Sequence, residues 1–136
     1  ALFAVQLVSA EEVITQDVNV LPAKARTFVS DHFGNAVISK IKVDDGMLQS
    51  KKYEVTFTNG AEIEFDKDGE WKEIEMKNQA IPAAIVPAYV SDHVTSNFSN
   101  VYIDKIEKES NGMKVELSND VNVYFDKDGK FKKMDD

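Results

Sequence analysis

The sequence predicts an α+β protein built from two tandem α-β4 repeats, with helices packed on one face of an antiparallel sheet. Three observations lead there. Pro22 to Ile41 aligns without a gap on Pro87 to Ile106, and eight of the twenty positions are identical. The pentapeptide Phe65-Asp66-Lys67-Asp68-Gly69 recurs unchanged as Phe125-Asp126-Lys127-Asp128-Gly129. The stretches around each pentapeptide alternate apolar and polar residues, the pattern of half-buried antiparallel strands. An internal repeat constrains the fold more tightly than any local propensity. Between the two matched blocks the offset falls from 65 to 60, so the second copy is five residues shorter there.

Each repeat opens with a helix. Leu21-Pro22 places proline at a favoured helix start, and Leu21, Ala25, Phe28, Val29, His32 and Phe33 recur at helical spacing until Gly34-Asn35 stops it. Residues 36–43 form the first strand, Tyr53–Phe57 and Ala61–Phe65 alternate strictly as the second and third, and Trp71–Met76 is the fourth. Asn59-Gly60 and Asp66-Lys67-Asp68-Gly69 are hairpin turns, because glycine tolerates the positive φ that such turns require. In the second copy Pro87–Phe98 is the helix, and residues 101–107, Met113–Leu117, Val121–Phe125 and Phe131–Met134 are the strands. Ile81–Ile85 is an extra lead-in; since Pro87 has no amide hydrogen, it predicts a short turn before Pro87 or a bent helix. The long hairpin Asp44–Ser50 shrinks to Glu109–Gly112 in the second copy. Loops of this kind are where repeats diverge and where contacts with a partner concentrate.

The chain has 136 residues, 43% hydrophobic and 29% charged, the composition of an ordinary globular domain. It divides into an N-terminal lead-in, 1–20, a first repeat, 21–78, and a second, 79–136. A repeat of this size buries too little surface to be stable alone, so the two copies are expected to make one compact domain. The net charge of −8 comes with no basic stretch, which leaves nucleic-acid binding without its electrostatic footprint. With no cysteine, disulfides, thiolate nucleophiles and cysteine zinc sites are excluded. Residues 1–10 are apolar and end in Val8-Ser9-Ala10 before Glu11-Glu12, which reads as the remnant of a signal peptide, with a native edge strand as the alternative. Ten apolar residues are too few to span a bilayer, so no membrane span is expected. If ordered, Leu2, Phe3, Val5 and Leu7 should pack on an apolar surface such as a neighbouring molecule or a sheet edge.

Two Pro-headed amphipathic helices, each ending at Phe, and two Phe-Asp-Lys-Asp-Gly-x-[Trp/Phe] hairpins together resemble the bacterial PepSY-like family, described as beta-lactamase-inhibitor-like. The resemblance covers residues 12–136. It implies an exported protein, periplasmic or secreted, whose two units join into one curved, beta-lactamase-inhibitor-protein-like sheet with a concave exposed face. The beta-lactamase inhibitor proteins themselves carry disulfides, and this chain has no cysteine. Lactamase inhibition and its contact residues therefore do not carry over.

No chemistry converges. Ser30-Asp31-His32 and Ser91-Asp92-His93 spell the residue types of a catalytic triad, yet neighbours on a helix point about 100° apart. The alignment also sets His32 against Asn97 and His93 against Phe28, so the two triplets are not equivalent. Counting Gly69 as the glycine of a calcium loop puts Glu64, Asp66, Asp68, the carbonyl of Glu70 and Glu75 at ligand positions. The second copy offers Tyr124 and Asp135 at the two ends of that count, and strands flank both turns. A plain hairpin is the better reading. No cofactor, metal ligand or catalytic residue is assigned, and no enzyme is expected.

A binding surface remains. Residues 121, 123 and 125 share core parity, so Tyr124 and Asn122 stand on the opposite face, as a partner contact or as one half of a cross-strand pair. Trp71 is core if Asp66–Gly69 forms a three-residue loop with a glycine bulge, and Phe131 with it; a four-residue loop would send Ile74 and Met76 inside instead. The candidate partner-binding residues are Tyr124, Asn122 and Trp71, together with Asp45, Met47 and Leu48 of the long hairpin. The function that follows is a non-enzymatic, exported protein-binding or inhibitor-like module using its concave sheet face. The alternative is an envelope domain for a small ligand or ion. The sequence leaves the exported protein or peptide partner, and the oligomeric state, unnamed.

Overall fold

A computed structural model describes residues 3–9, 12–46 and 50–136. Its contacts divide the chain into two compact units, 1–72 and 73–136.

The first unit holds strands β1 (Val5–Ser9) and β2 (Glu12–Thr15), a 3-10 turn at Val18–Val20, helix α1 (Ala23–Phe33), and strands β3 (Ile38–Asp44), β4 (Lys52–Phe57) and β5 (Glu62–Asp66). All neighbouring pairs are antiparallel, β1 with β2, β2 with β3, β3 with β4 and β4 with β5. Burial alternates without a fault along β4 and β5, with Tyr53, Val55 and Phe57 inside, then Ile63 and Phe65. Full burial of such side chains is worth about 1.5–3 kcal/mol each, which fixes the register of the ladder. Helix α1 follows Pro22, whose ψ of 149° leaves it just outside the first turn. The helix meets the strands through Phe33, stacked 5.4 Å from Phe57, and Phe28, edge-on 5.8 Å from Phe65.

The second unit begins within β6 (Trp71–Glu75), continues through helix α2 (Ala88–Asn97), and ends in β7 (Ile103–Glu109), β8 (Gly112–Leu117), β9 (Asn122–Asp126) and β10 (Phe131–Asp135). Glu73, Ile74 and Glu75 pair with Glu107, Ile106 and Lys105, and the hairpins β7-β8, β8-β9 and β9-β10 follow. Ile106, Met113, Val115, Leu117, Val123 and Phe125 form the buried side. Bonds from Ile85 and Val86 to the carbonyls of Pro82 and Ala83 close a short turn ahead of Pro87, one of the two forms expected for the lead-in.

These findings correct the expected fold class. The molecule is mostly antiparallel sheet, with ten strands and two α-helices among the described residues. The helices are only 11 and 10 residues long, and each buries two side chains. It is not a pair of α-β4 repeats with helices packed on one face. Two reasons are visible. The lead-in, read as lying outside the architecture, supplies β1 and β2, which pair on to β3 and extend the sheet. β6, read as the closing strand of the first repeat, ladders with β7, because a last strand leaves a row of unpaired backbone groups for the next strand to take. The N-terminal segment differs in the same way. Phe3 and Val5 are exposed, and the backbone of β1 holds the segment in place through pairing; Leu2 lies outside the described residues. No described helix is long and apolar enough to cross a membrane.

Glycine is obligatory at two hairpin positions. Gly112 has φ +155°, and a Cβ there would lie 1.9 Å from the Phe125 carbonyl oxygen. Gly69 has φ +87°, and a Cβ there would meet the Ala25 nitrogen and the Pro22 Cβ at 3.0 Å. On the polar side of the second unit, burial, and then Glu116, Asp120 and Glu75, push the Asp104 carboxyl above its ordinary range.

Two outcomes follow. Gly112→Ala should destabilise the fold by about 3 kcal/mol in urea unfolding, since it adds a backbone clash to an unfavourable φ. A loss under about 0.5 kcal/mol would contradict the close approach. Because the folded state disfavours ionised Asp104, its full stabilising contribution is present only below the unfolded pKa and disappears as pH rises through the raised one. Asp104→Asn should therefore raise the melting temperature at about pH 7 and leave it unchanged at about pH 3; equal effects at both pH values would show that the charge is not the cause.

Candidate functional site

Strand β9 carries Tyr124 between two lysines. The antiparallel register sets Lys114 of β8 opposite it on one side and Lys133 of β10 on the other. Their ammonium groups lie 5.6 and 4.8 Å from the ring centroid, within cation–π range. A bulge between Phe131 and Lys133 brings Lys133 to this place. Tyr124 is half-buried, on the side away from Val123 and Phe125 as its parity requires. Two residues along, Asn122 stands between Glu116 and Asp135, and its amide donates to Asp135 Oδ1 at 3.1 Å. The face is thus an aromatic ring framed by cations beside an amide–carboxylate pair.

The remaining candidate residues belong to the first unit. Asp45 is exposed and pairs with Lys51 at 3.3 Å, and Asp44 Oδ1 accepts the Gly46 amide at 2.9 Å. Met47 and Leu48 lie outside the described residues. Trp71 is half-buried and lines a groove of about 400 Å³ with Lys24, Phe28, Asp31, His32 and Glu70. Trp71, expected in the core, is thus only partly covered, and the residues that the four-residue alternative sends inside, Ile74 and Met76, are buried. In the second unit the bulge sets Phe131 opposite Phe125 and still lets Met134 pair with Val123. Phe131, expected in the core with Trp71, is instead 46% exposed, because among the described strands β10 pairs with β9 alone and its other edge is open.

The histidines have packing roles. His93 stacks on Phe131 at 4.6 Å and stands edge-on to Phe125 at 5.5 Å, as Phe28 stands edge-on to Phe65. The alignment of His93 on Phe28 is therefore also a structural equivalence. Ser91 donates to the Ala88 carbonyl at 3.2 Å, and His32 lies against Phe28 at 4.7 Å. In both Asp-Lys-Asp-Gly turns the first carboxylate holds the turn itself. Asp66 Oδ1 accepts the amides of Asp68 and Glu70 at 2.9 and 3.0 Å, and Asp126 Oδ1 those of Asp128 and Lys130 at 2.9 Å. The Lys130 amide, with that of Asp128, holds the Asp126 carboxyl below its usual range. Among the described residues no three His, Asp or Glu side chains are grouped to hold a metal.

Sequence reasoning found Tyr124 and Asn122 through parity but missed Lys133, since counting residues from the turn without a bulge places Lys132 there. It also missed the groove beside Trp71. The only available signal was Phe28, Asp31 and His32 on one side of a short helix followed, far along the chain, by a tryptophan next to a hairpin glycine.

Several known proteins are similar to this chain. A family model described as "Putative beta-lactamase-inhibitor-like, PepSY-like" matches residues 51–133. A protein from Bacteroides vulgatus, described as a putative periplasmic protein of unknown function, is 35% identical, with a TM-score of 0.87 over 92% of this chain and 99% of that one. A protein from Bacteroides thetaiotaomicron, described as a putative calcium-regulated periplasmic protein, is also 35% identical, with a TM-score of 0.84 over 88% and 94%. A further Bacteroides vulgatus periplasmic protein gives 35% identity and 0.83 over the same shares. No curated protein matches. Like these relatives, the protein is exported to the periplasm or beyond. With the family match covering more than half of its length, the chain belongs to the PepSY-like, beta-lactamase-inhibitor-like family.

Proposed function

We propose that this protein is a non-enzymatic, exported binding module of the inhibitor-like kind, and that it holds a polypeptide partner on the β8-β9-β10 face around Tyr124. The observation that carries the reading is the Tyr124 ring framed by Lys114 and Lys133, with Asn122 beside it. Tyrosine brings a large, rigid contact area with a polar tip, and lysines stretched along its faces can pair with partner carboxylates while their stems remain packed. The long Asp44–Ser50 hairpin, which has no counterpart of equal length in the second copy, is a second contact in this reading. The family and its solved relatives support an exported protein of this type without naming a target.

Affinity capture from the native periplasmic fraction, read by mass spectrometry, tests the assignment. Tyr124→Ala should weaken retention of the specifically captured protein roughly tenfold or more, with the melting temperature unchanged. If Tyr124→Ala and a chain with a shortened 44–50 hairpin both retain every partner, the face is misassigned.

Ion binding is a second reading, favoured by the relative described as calcium-regulated. The engagement of Asp66 and Asp126 by their own turns speaks against it here. Millimolar calcium should move the melting temperature by less than about 1 °C. A rise of several degrees that disappears in Asp66→Ala would put the ion reading first.

A further inference from the structure

The groove beside Trp71 differs from its counterpart in the second repeat, and the difference is chemical. At the positions equivalent to Phe28 and Trp71, His93 and Phe131 stack face to face at 4.6 Å, and the Tyr89 ring, equivalent to Lys24, lies 3.2 Å from where a Gly129 Cβ would stand. Aromatic rings thus occupy the second copy's space. In the first copy the same region is a groove of about 400 Å³. Its acidic residues are also particular to that copy, since Asp31 aligns on Ser96 and Glu70 on Lys130.

We infer that the first-unit groove is a pocket for a basic side chain, a lysine or arginine of an exported polypeptide, seated against Trp71 and Phe28 and paired with Asp31 and Glu70. Charge complementarity selects this occupant. Two carboxylates and the rings of Phe28, His32 and Trp71 line the groove with one lysine, Asp66 and Asp68 lie close enough to raise the pKa of that lysine further, and a cation gains from an aromatic face and from a carboxylate in the same place. Lys24, paired with Glu70, occupies part of the acidic site in the free protein. Both partners of that pair are largely exposed, 64% and 47%, and an exposed ion pair of this kind is weak enough to be exchanged for a better-placed cation. Lys24 therefore competes with the incoming group. The pocket is independent of the Tyr124 face and would stand if that assignment failed.

The single tryptophan of the chain is Trp71, so its fluorescence reports on this groove alone. The probes are the blocked tripeptide Ala-Arg-Ala and its neutral citrulline analogue, titrated into the full chain, with amide shifts followed by NMR. The arginine peptide should give a saturable Trp71 response with shifts at Asp31 and Gly69, and the citrulline peptide should bind at least tenfold more weakly. Asp31→Asn should weaken arginine binding three- to tenfold, Lys24→Ala should tighten it, and Tyr124→Ala should leave it unchanged. Equal responses to the two peptides, no response at all, or weakening by Lys24→Ala would each overturn the inference. Shifts that map to Tyr124 instead of Gly69 would overturn it as well and would support the face on β9.

Discussion

In each unit a hairpin glycine with positive φ is pressed against the first turn of a helix, and the placement of the surrounding side chains depends on that contact. Gly69 lies against Pro22, Lys24 and Ala25, and Gly129 lies beneath the Tyr89 ring. A Cβ at Gly69 would press on the helix backbone, and one at Gly129 would crowd the Tyr89 ring. With the hairpin tip held there, the last core residue of the preceding strand, Phe65 or Phe125, comes under the helix residue at the matching place, Phe28 or His93. The carboxylate that folds the turn, Asp66 or Asp126, does so through its Oδ1, which accepts two backbone amides. The duplicated pentapeptide is therefore explained as architecture, with Asp closing the turn, Gly allowing the approach and Phe anchoring the strand beneath.

Once that frame is set, the duplication leaves its two copies free to differ where the frame does not need them. The second copy fills its space between helix and hairpin with stacked rings, and the first leaves a groove with acidic and aromatic walls. Along the strands the polar faces differ in the same manner. Tyr124 of the second copy corresponds to Glu64 of the first, which lies opposite Glu54 and within 3.8 Å of Lys52. Core residues answer to packing density and stay alike, whereas exposed positions are nearly neutral for stability and can take on contacts with other molecules.

The resolved electrostatics are mostly those of exposed, paired surface charges. The resolved pKa shifts of the lysines at positions 24 and 42 are upward, driven first by a neighbouring glutamate, and such pairs at an exposed surface add little to stability. Asp104 is the exception, as a carboxyl disfavoured by burial among other acids. It lies on β7, beside β8, whose Glu116 is the first of the charges that raise it, so its strain is a matter of stability and of pH.

From the sequence alone came the duplication, the strand alternation, the turn glycines and the export family, because each is written in local spacing or in residue identity. Parity placed Tyr124 and Asn122 on the polar face, and alignment identified His93 as a replacement for Phe28 before any ring contact was known. The balance of sheet to helix was not legible. Whether residues 12–15 pair on to β3 and residues 5–9 on to them, and which strand β6 ladders with, are decided by unpaired backbone edges, whose demand for hydrogen bonds is the same for every sequence. Nor was the setting of Tyr124 legible, because a single bulge in β10 exchanges Lys132 for Lys133 beside the ring. The groove at Trp71 needed the tertiary structure for the same reason. It is made by a helix and a hairpin some forty residues apart along the chain, and only their packing around a residue with no Cβ brings the aromatic and acidic groups to one place.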